Sequence, residues 1–450
     1  MLNKKVLLIN PPFYRLMKSH FNGLSLGLAY ITAILEKAGF NAKIYNADYL
    51  DKEDYPKQEE LFQNYQSYKE ILNDEGADIW EEVKRKIKDF NPDVLGIFMY
   101  TGAYKSAKII ARLAKSMNPE LKVVVGGPHP TLAPEETIKN EEFDFLIRGE
   151  GEFTFLELME GKYFYNIKGL SYKKGGKIFH NQPREFIQDL DSLPFPARNL
   201  LLEKGKNLDL GYVITGRGCP FNCAFCASPK IWQRKVRLRS VDNVIAELEE
   251  LVKKYQIRKI NFVDDTFTLN KERTKEICRK IIEKGLNIKW RCDTRANCLD
   301  EELVSLMKKS GCVRARIGAE SGSNKVLKLM QKYQTKEDVR KGAALIKKYG
   351  IGLTVYFMAG FPGENNDDLK ETIEFAKELK ADYYSLGIVS PYYGTDVYFK
   401  LLNQGKIGKS ESWEYFYHQS LEPVGNTNLD PKIIEEFLSI SKLYAWDKRI

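Results

Sequence analysis

Short apolar runs alternate along the chain with longer stretches whose apolar positions recur every three or four residues, and this strand–helix rhythm is played twice. In the first pass, strands are predicted at residues 5–9, 41–45, 94–99, 122–125 and 143–147, with helices over 24–37, over 104–116 and near Pro134. Such βαβ repetition predicts an α/β fold whose N-terminal domain, residues 1–160, is a doubly wound, Rossmann-like parallel sheet. Residues 51–91 form a charged, aromatic-containing stretch that reads as helical and is open to either a lid or a spacer role. Residues 161–209 carry a β-hairpin around Lys173-Lys174-Gly175-Gly176 and a proline-punctuated stretch through Leu193-Pro194-Phe195-Pro196, and read as a linker. The second pass, residues 210–402, places strands at 212–215, 259–263, 288–292, 313–318, 353–357 and 383–388 between amphipathic helices such as 241–254 and 369–379. Six such units predict a partial (β/α)6 barrel. Residues 403–450 form a short, mostly helical C-terminal tail, whose Trp413, Tyr415, Phe416 and Tyr417 suggest a flap, an apolar substrate surface or core packing.

Composition narrows the function classes. With 450 residues, 43% hydrophobic and 12% aromatic, the chain has enough apolar surface for more than one core and is not disordered. No apolar run approaches the roughly 20 residues of a spanning helix, and the N-terminus lacks the pattern of a signal peptide, so the expected location is cytoplasmic. The +9 net charge comes from 70 basic against 61 acidic residues spread along the chain. It forms no basic stripe with interleaved aromatics, and nucleic acid is not an expected partner.

Chemistry concentrates where parallel strands end. In the first domain these turns are Asn10-Pro11-Pro12, Tyr100-Thr101-Gly102, Gly126-Gly127-Pro128-His129 and Gly149-Glu150-Gly151-Glu152. Parallel strands bring them to one sheet edge, where glycines let a flat ligand approach the backbone. In the second domain Cys219, Cys223 and Cys226 follow the first strand on a loop begun by Gly216-Arg217-Gly218. The other four cysteines are scattered, and an odd total in a reducing compartment argues against a disulfide framework. Three thiolates can hold three irons of a four-iron cluster, leaving the fourth open to an exogenous ligand. Zinc needs a fourth ligand nearby, and no histidine occurs between His180 and His418.

The C-x3-C-x2-C run with Phe225 before its last cysteine resembles the radical S-adenosylmethionine enzymes. In that family the open iron of a [4Fe-4S] cluster chelates S-adenosylmethionine, whose reductive cleavage gives a 5′-deoxyadenosyl radical. The resemblance implies that Cys219, Cys223 and Cys226 are metal ligands and that Glu320 and Ser321 reach the methionyl or ribose groups. It implies further that Phe225 and the Met358–Pro362 segment, with Gly360, line the adenine, and that Asp264 or Arg295 touches ligand or substrate. The first domain is similar to the cobalamin-binding domain that precedes many such barrels, which implies corrin contacts from Asn10, Pro11, Pro12, Thr101, Gly126, Gly127, His129, Gly149, Glu150, Gly151 and Glu152. The D-x-H-x-x-G loop that supplies a cobalt ligand in many cobalamin proteins is missing: Lys18 replaces its carboxylate, and His20 reads as a surface or loop residue. The implied activity is cobalamin-dependent methylation of an unactivated carbon in a small or apolar substrate, with a reducing partner such as flavodoxin or ferredoxin. The alternatives are a cyclisation, ring contraction or C–C coupling without methyl transfer, or a non-catalytic cobalamin or electron carrier.

Overall fold

The structure is a computed structural model that describes residues 4–56, 58–408 and 428–443. The chain divides into two compact units, the first built mainly from residues up to 210 and the second from 211 onward.

The first unit is a seven-stranded sheet of β1 (Lys5–Asn10), β2 (Asn41–Asn46), β3 (Val94–Phe98), β4 (Lys122–Gly126), β5 (Phe145–Ile147), β6 (Leu170–Lys174) and β7 (Lys177–His180) in the order β2-β1-β3-β4-β5-β6-β7. The first five strands are parallel and β6 and β7 antiparallel. Strand order reverses at β1, so the carboxyl ends of β1 and β3 flank the crevice where doubly wound sheets take ligands.

One expectation changes here. Residues 161–209 are more than a linker: the hairpin extends the sheet beside β5, and the proline-rich stretch returns to it. Ala197 and Leu200 pack on Ala33, and the Ile44 and Leu202 N–H groups pair with the Leu200 and Ile44 carbonyls. The β5 edge and apolar Leu170 and Tyr172 would otherwise face water. Part of the 51–91 stretch is built into the first unit. Its helix Asp78–Phe90 carries the chain from β2 to β3 and buries Ile79, Trp80, Val83 and Ile87. Helix Tyr65–Asn73 buries Tyr68, whose hydroxyl donates to the Gly102 carbonyl (2.7 Å) and whose ring meets Phe13 edge-on.

The second unit holds β8 (Tyr212–Val213), the antiparallel pair β9 (Gly216–Arg217) and β10 (Arg237–Leu238), then β11 (Lys259–Phe262), β12 (Lys289–Thr294), β13 (Cys312–Glu320), β14 (Gly352–Ala359) and β15 (Tyr383–Ile388). Six of these form one parallel sheet, β15-β14-β13-β12-β11-β8, open between its two edges. Side-chain caps start its helices: Ser240, Asn270, Asp300, Thr335 and Asn365 each accept an N–H from their own first turn. Alternate strand residues, Phe262, Trp290, Cys292, Ala315, Ile317, Val355 and Phe357, join those helices in one core. The intervening residues face the concave side. Helix Pro431–Ser439 adds Ile434 and Phe437 to the same core, while Trp413, Tyr415, Phe416 and Tyr417 lie outside the described residues.

Candidate active site

The three thiols sit where β9 gives way to a loop. Gly218 turns the chain there with φ +95°, and a Cβ on it would lie 2.0 Å from the Lys235 carbonyl oxygen, so only glycine fits. Farther on, the Cys226 N–H closes a turn on the Cys223 carbonyl (3.0 Å), and the Ala224 N–H donates to the Met330 carbonyl (2.9 Å). The Asn222 side chain reaches Gln331 (3.2 Å). The loop is therefore pinned to the segment that follows β13.

Burial raises the Cys219 thiol above its ordinary range and pushes Cys226 up to about 12, with the nearby Asp265 carboxylate adding to both shifts. Metal binding would displace those protons.

Around this loop the fold gathers charges from distant parts of the sequence. Arg295, at the end of β12, is buried; its guanidinium donates to the Cys223 sulfur (3.8 Å) and the Lys332 carbonyl and stacks on Phe221 at 3.8 Å. Glu320, the last residue of β13, adopts φ +68°, a conformation that is costly for a side chain other than glycine and is found at functional sites. Its carboxylate pairs with the Lys332 ammonium at 2.6 Å, both side chains at most 9% exposed. The pair lies over Gly318, where a Cβ would come within 2.2 Å of the Glu320 carboxylate and 2.8 Å of the ammonium. Lys332 also stands 5.8 Å above the Phe225 ring. Gln331 and Tyr333, its neighbours, share the positive φ of Glu320.

Lys332 and Phe221 were not among the expected site residues. The only sequence signal for Lys332 is its place in a short polar segment, since its partner is the last residue of β13.

Other expected contacts have partners within the fold or lie near it without one. Asp264 is buried and accepts the Thr215 N–H (3.1 Å) and hydroxyl (2.7 Å), tying the ends of β8 and β11 together; burial raises its carboxyl to about 6. The Ser321 hydroxyl bonds Thr372 (3.0 Å) on helix Asn366–Leu379, because the small residues of this turn let the helix come close. Met358 is half-buried on the concave face of β14. Gly360 turns at φ +89° and donates its N–H to Glu364 (2.6 Å), and Pro362 is buried beyond it.

In the first unit the turns after β1, β3, β4 and β5 share the carboxyl edge. Several of their side chains face inward. Asn10 donates to Asn46 (2.9 Å), His129 is buried against Thr101 (3.3 Å), and Glu150 accepts the Ile187 N–H (2.8 Å). Glu152 is likewise buried, and Gly127 packs on the Met99 carbonyl. Burial holds His129 down to about 3. Pro11, Pro12 and Thr101 are also buried, Gly126 and Gly151 are half-buried, and Gly149, at φ +74°, has open space where a side chain would go. An open glycine turn on this edge suits a broad, flat ligand. His20 is buried and stacked on Tyr55 at 4.1 Å, not at the surface, because the 48–55 loop folds over it.

The first unit is thus a doubly wound sheet with its switch point at β1, and the second an open barrel carrying a three-thiol loop. Residues 213–376 match the family model of the radical SAM superfamily, and residues 16–159 that of the B12 binding domain. An uncharacterised methyltransferase of Pyrococcus horikoshii is 38% identical over 379 residues, 81% of this chain and 79% of the relative. The anaerobic magnesium-protoporphyrin IX monomethyl ester cyclase of Rubrivivax gelatinosus is 27% identical, over 74% of this chain and 63% of its own. Among solved structures, the radical S-adenosylmethionine methyltransferase TsrM of Kitasatospora setae, with cobalamin and a [4Fe-4S] cluster bound, aligns at TM-score 0.73 and 18% identity, covering 97% of this chain and 91% of that one. The chain belongs to the radical S-adenosylmethionine enzymes that carry an N-terminal B12-binding domain.

Proposed function

We propose that this enzyme is a cobalamin-dependent radical S-adenosylmethionine methyltransferase acting on an unactivated carbon. The observation that carries the reading is the three-thiol loop set beside a buried, oppositely charged Glu320–Lys332 pair, in a chain with a B12-binding domain. Cys219, Cys223 and Cys226 would hold a [4Fe-4S] cluster. Glu320 is complementary to the ammonium of a methionyl group and Lys332 to its carboxylate. Phe225 and the Met358–Pro362 turn offer apolar surface to an adenine. The corrin belongs at the carboxyl edge by Asn10–Pro12, Thr101, Gly126 and Gly149. When bound, the cluster and sulfonium supply a hydrogen-abstracting radical, and cobalamin a transferable methyl group. The chain's own residues orient these groups and keep water out. A reducing compartment and a one-electron donor of the flavodoxin or ferredoxin kind suit free thiols of this sort, and the cytoplasm provides both.

The test is anaerobic reconstitution with iron, sulfide and cobalamin, followed by reduction with dithionite in the presence of methyl-labelled S-adenosylmethionine. Expected are 5′-deoxyadenosine and label in the corrin fraction, both tied to iron content and both lost in Cys223→Ala. Cleavage without label in the corrin would point to the cyclase type of chemistry, and no cleavage at all to a carrier.

A further inference from the structure

The concave face of the barrel is lined unlike an ordinary barrel interior, which branched apolar side chains fill. Outward strand positions are mostly apolar, whereas the alternating inward ones include, beside Met358, the polar Asn261, Arg291, Asp293, Arg314, Arg316 and Tyr356. Contacts that skip a strand establish that these side chains meet across the lumen. Arg316 of β13 reaches Asn261 of β11 (3.3 Å), and Tyr356 of β14 reaches Asp293 of β12 (3.3 Å). Asp293 also pairs with Arg316 at 2.6 Å. Arg314 donates to Thr354 (3.2 Å). Arg291 acts electrostatically on both Asp293 and Tyr356 and is half-buried. Arg291, Arg314 and Arg316 thus lie among the inward positions together with the Asp293 carboxylate. The buried Nε of Arg316 has no hydrogen-bond partner. Above them, at the carboxyl end of β13, sits the Glu320–Lys332 pair over Gly318.

Resting on the proposed function, we infer that the barrel lumen binds an anionic group of the substrate, a carboxylate or a phosphoryl group, on Arg291 and Arg316. A cationic lumen of half-buried arginines has low dielectric walls that strengthen attraction for an anion, and guanidiniums present forked donors that match oxyacid geometry. Asp293 limits the affinity by holding Arg316 and by its own negative charge. The substrate class is therefore an anion, not a neutral apolar molecule.

The two charges give the test opposite signs. The reconstituted enzyme, with S-adenosylhomocysteine at the barrel mouth, is titrated calorimetrically with inorganic phosphate and, separately, with acetate. Arg291→Gln should weaken binding of the preferred anion about tenfold, the loss of one charge-assisted contact. Asp293→Asn should tighten it severalfold. The Arg291 side chain makes no hydrogen bond among the described residues, so its variant should fold normally, checked by circular dichroism. The anion that binds more tightly identifies the group as phosphoryl or carboxylate. The inference is overturned if neither anion binds, if both variants weaken binding together, or if neither variant alters it. Iron content and S-adenosylmethionine cleavage are measured on the same preparations: normal values with a failed titration remove this inference alone, whereas failed cleavage removes the proposed function.

Discussion

Replacing Lys332 by Met gives the sharpest test of the site's electrostatics. The ammonium lies 2.6 Å from the Glu320 carboxylate, and their side chains are 7% and 9% exposed. At an effective dielectric of about 20, two unit charges at that distance attract by roughly 6 kcal/mol, against which stands the desolvation of both ions. Removing one partner keeps the cost of burying Glu320 and discards the attraction, so Lys332→Met should destabilise the chain by about 3–5 kcal/mol. Glu320→Gln alone leaves a buried cation and should also be costly. The double variant should lose much less than the sum, with a coupling energy of a few kcal/mol. Urea unfolding under anaerobic conditions, read as midpoint shifts at constant m, gives all three values. A loss below about 1 kcal/mol for Lys332→Met, with additive singles, is what a solvent-screened surface pair would give. That result would refute the desolvated pair and with it the recognition assigned to Glu320 and Lys332.

Three further outcomes are expected. Arg295→Gln removes a positive charge and an N–H donor from the Cys223 sulfur, so the cluster's midpoint potential should fall by tens of millivolts in an EPR-monitored titration, at about 59 mV per ~1.4 kcal/mol for one electron; Arg295→Lys should recover part of the shift, and an unchanged potential would count against the contact. Gly218→Ala drives a Cβ into the Lys235 carbonyl from a backbone at φ +95°, and iron content after reconstitution should drop severalfold while the first unit's helical and sheet signal persists. Asp264 is raised by burial to about 6, so the folded chain holds its proton more tightly than the unfolded chain does, and its contribution to stability falls as pH rises from about 4 to about 6; Asp264→Asn should flatten that part of the urea-midpoint curve, and an unaltered slope would show that Asp264 does not titrate there.

Much of the architecture is legible from pattern alone because a strand's side chains alternate and a helix's recur by turns. Residues 5–9, 94–99 and 383–388 announce themselves as strands and residues 241–254 as a helix, since these signals are local. The roles of 51–91 and 161–209 were not legible, because whether a hairpin hangs free or completes a sheet depends on an edge strand contributed from elsewhere. At the site, the thiol spacing is local and visible, whereas Lys332 and Arg295 reach the loop only through the packing of β12 and β13.

The sequence by itself determined the two α/β units, the three-thiol loop and the strand ends where ligands gather, since periodicity and short-range spacing carry that information. Only the tertiary structure decided which polar side chains the fold itself occupies, as with Asp264 on Thr215, Ser321 on Thr372 and Glu150 on Ile187. It also decided which charges meet at the site, as Glu320 does with Lys332 and Arg295 with Cys223. A buried polar group must find a partner, and that partner is chosen by distance in space, which spacing along the chain does not encode.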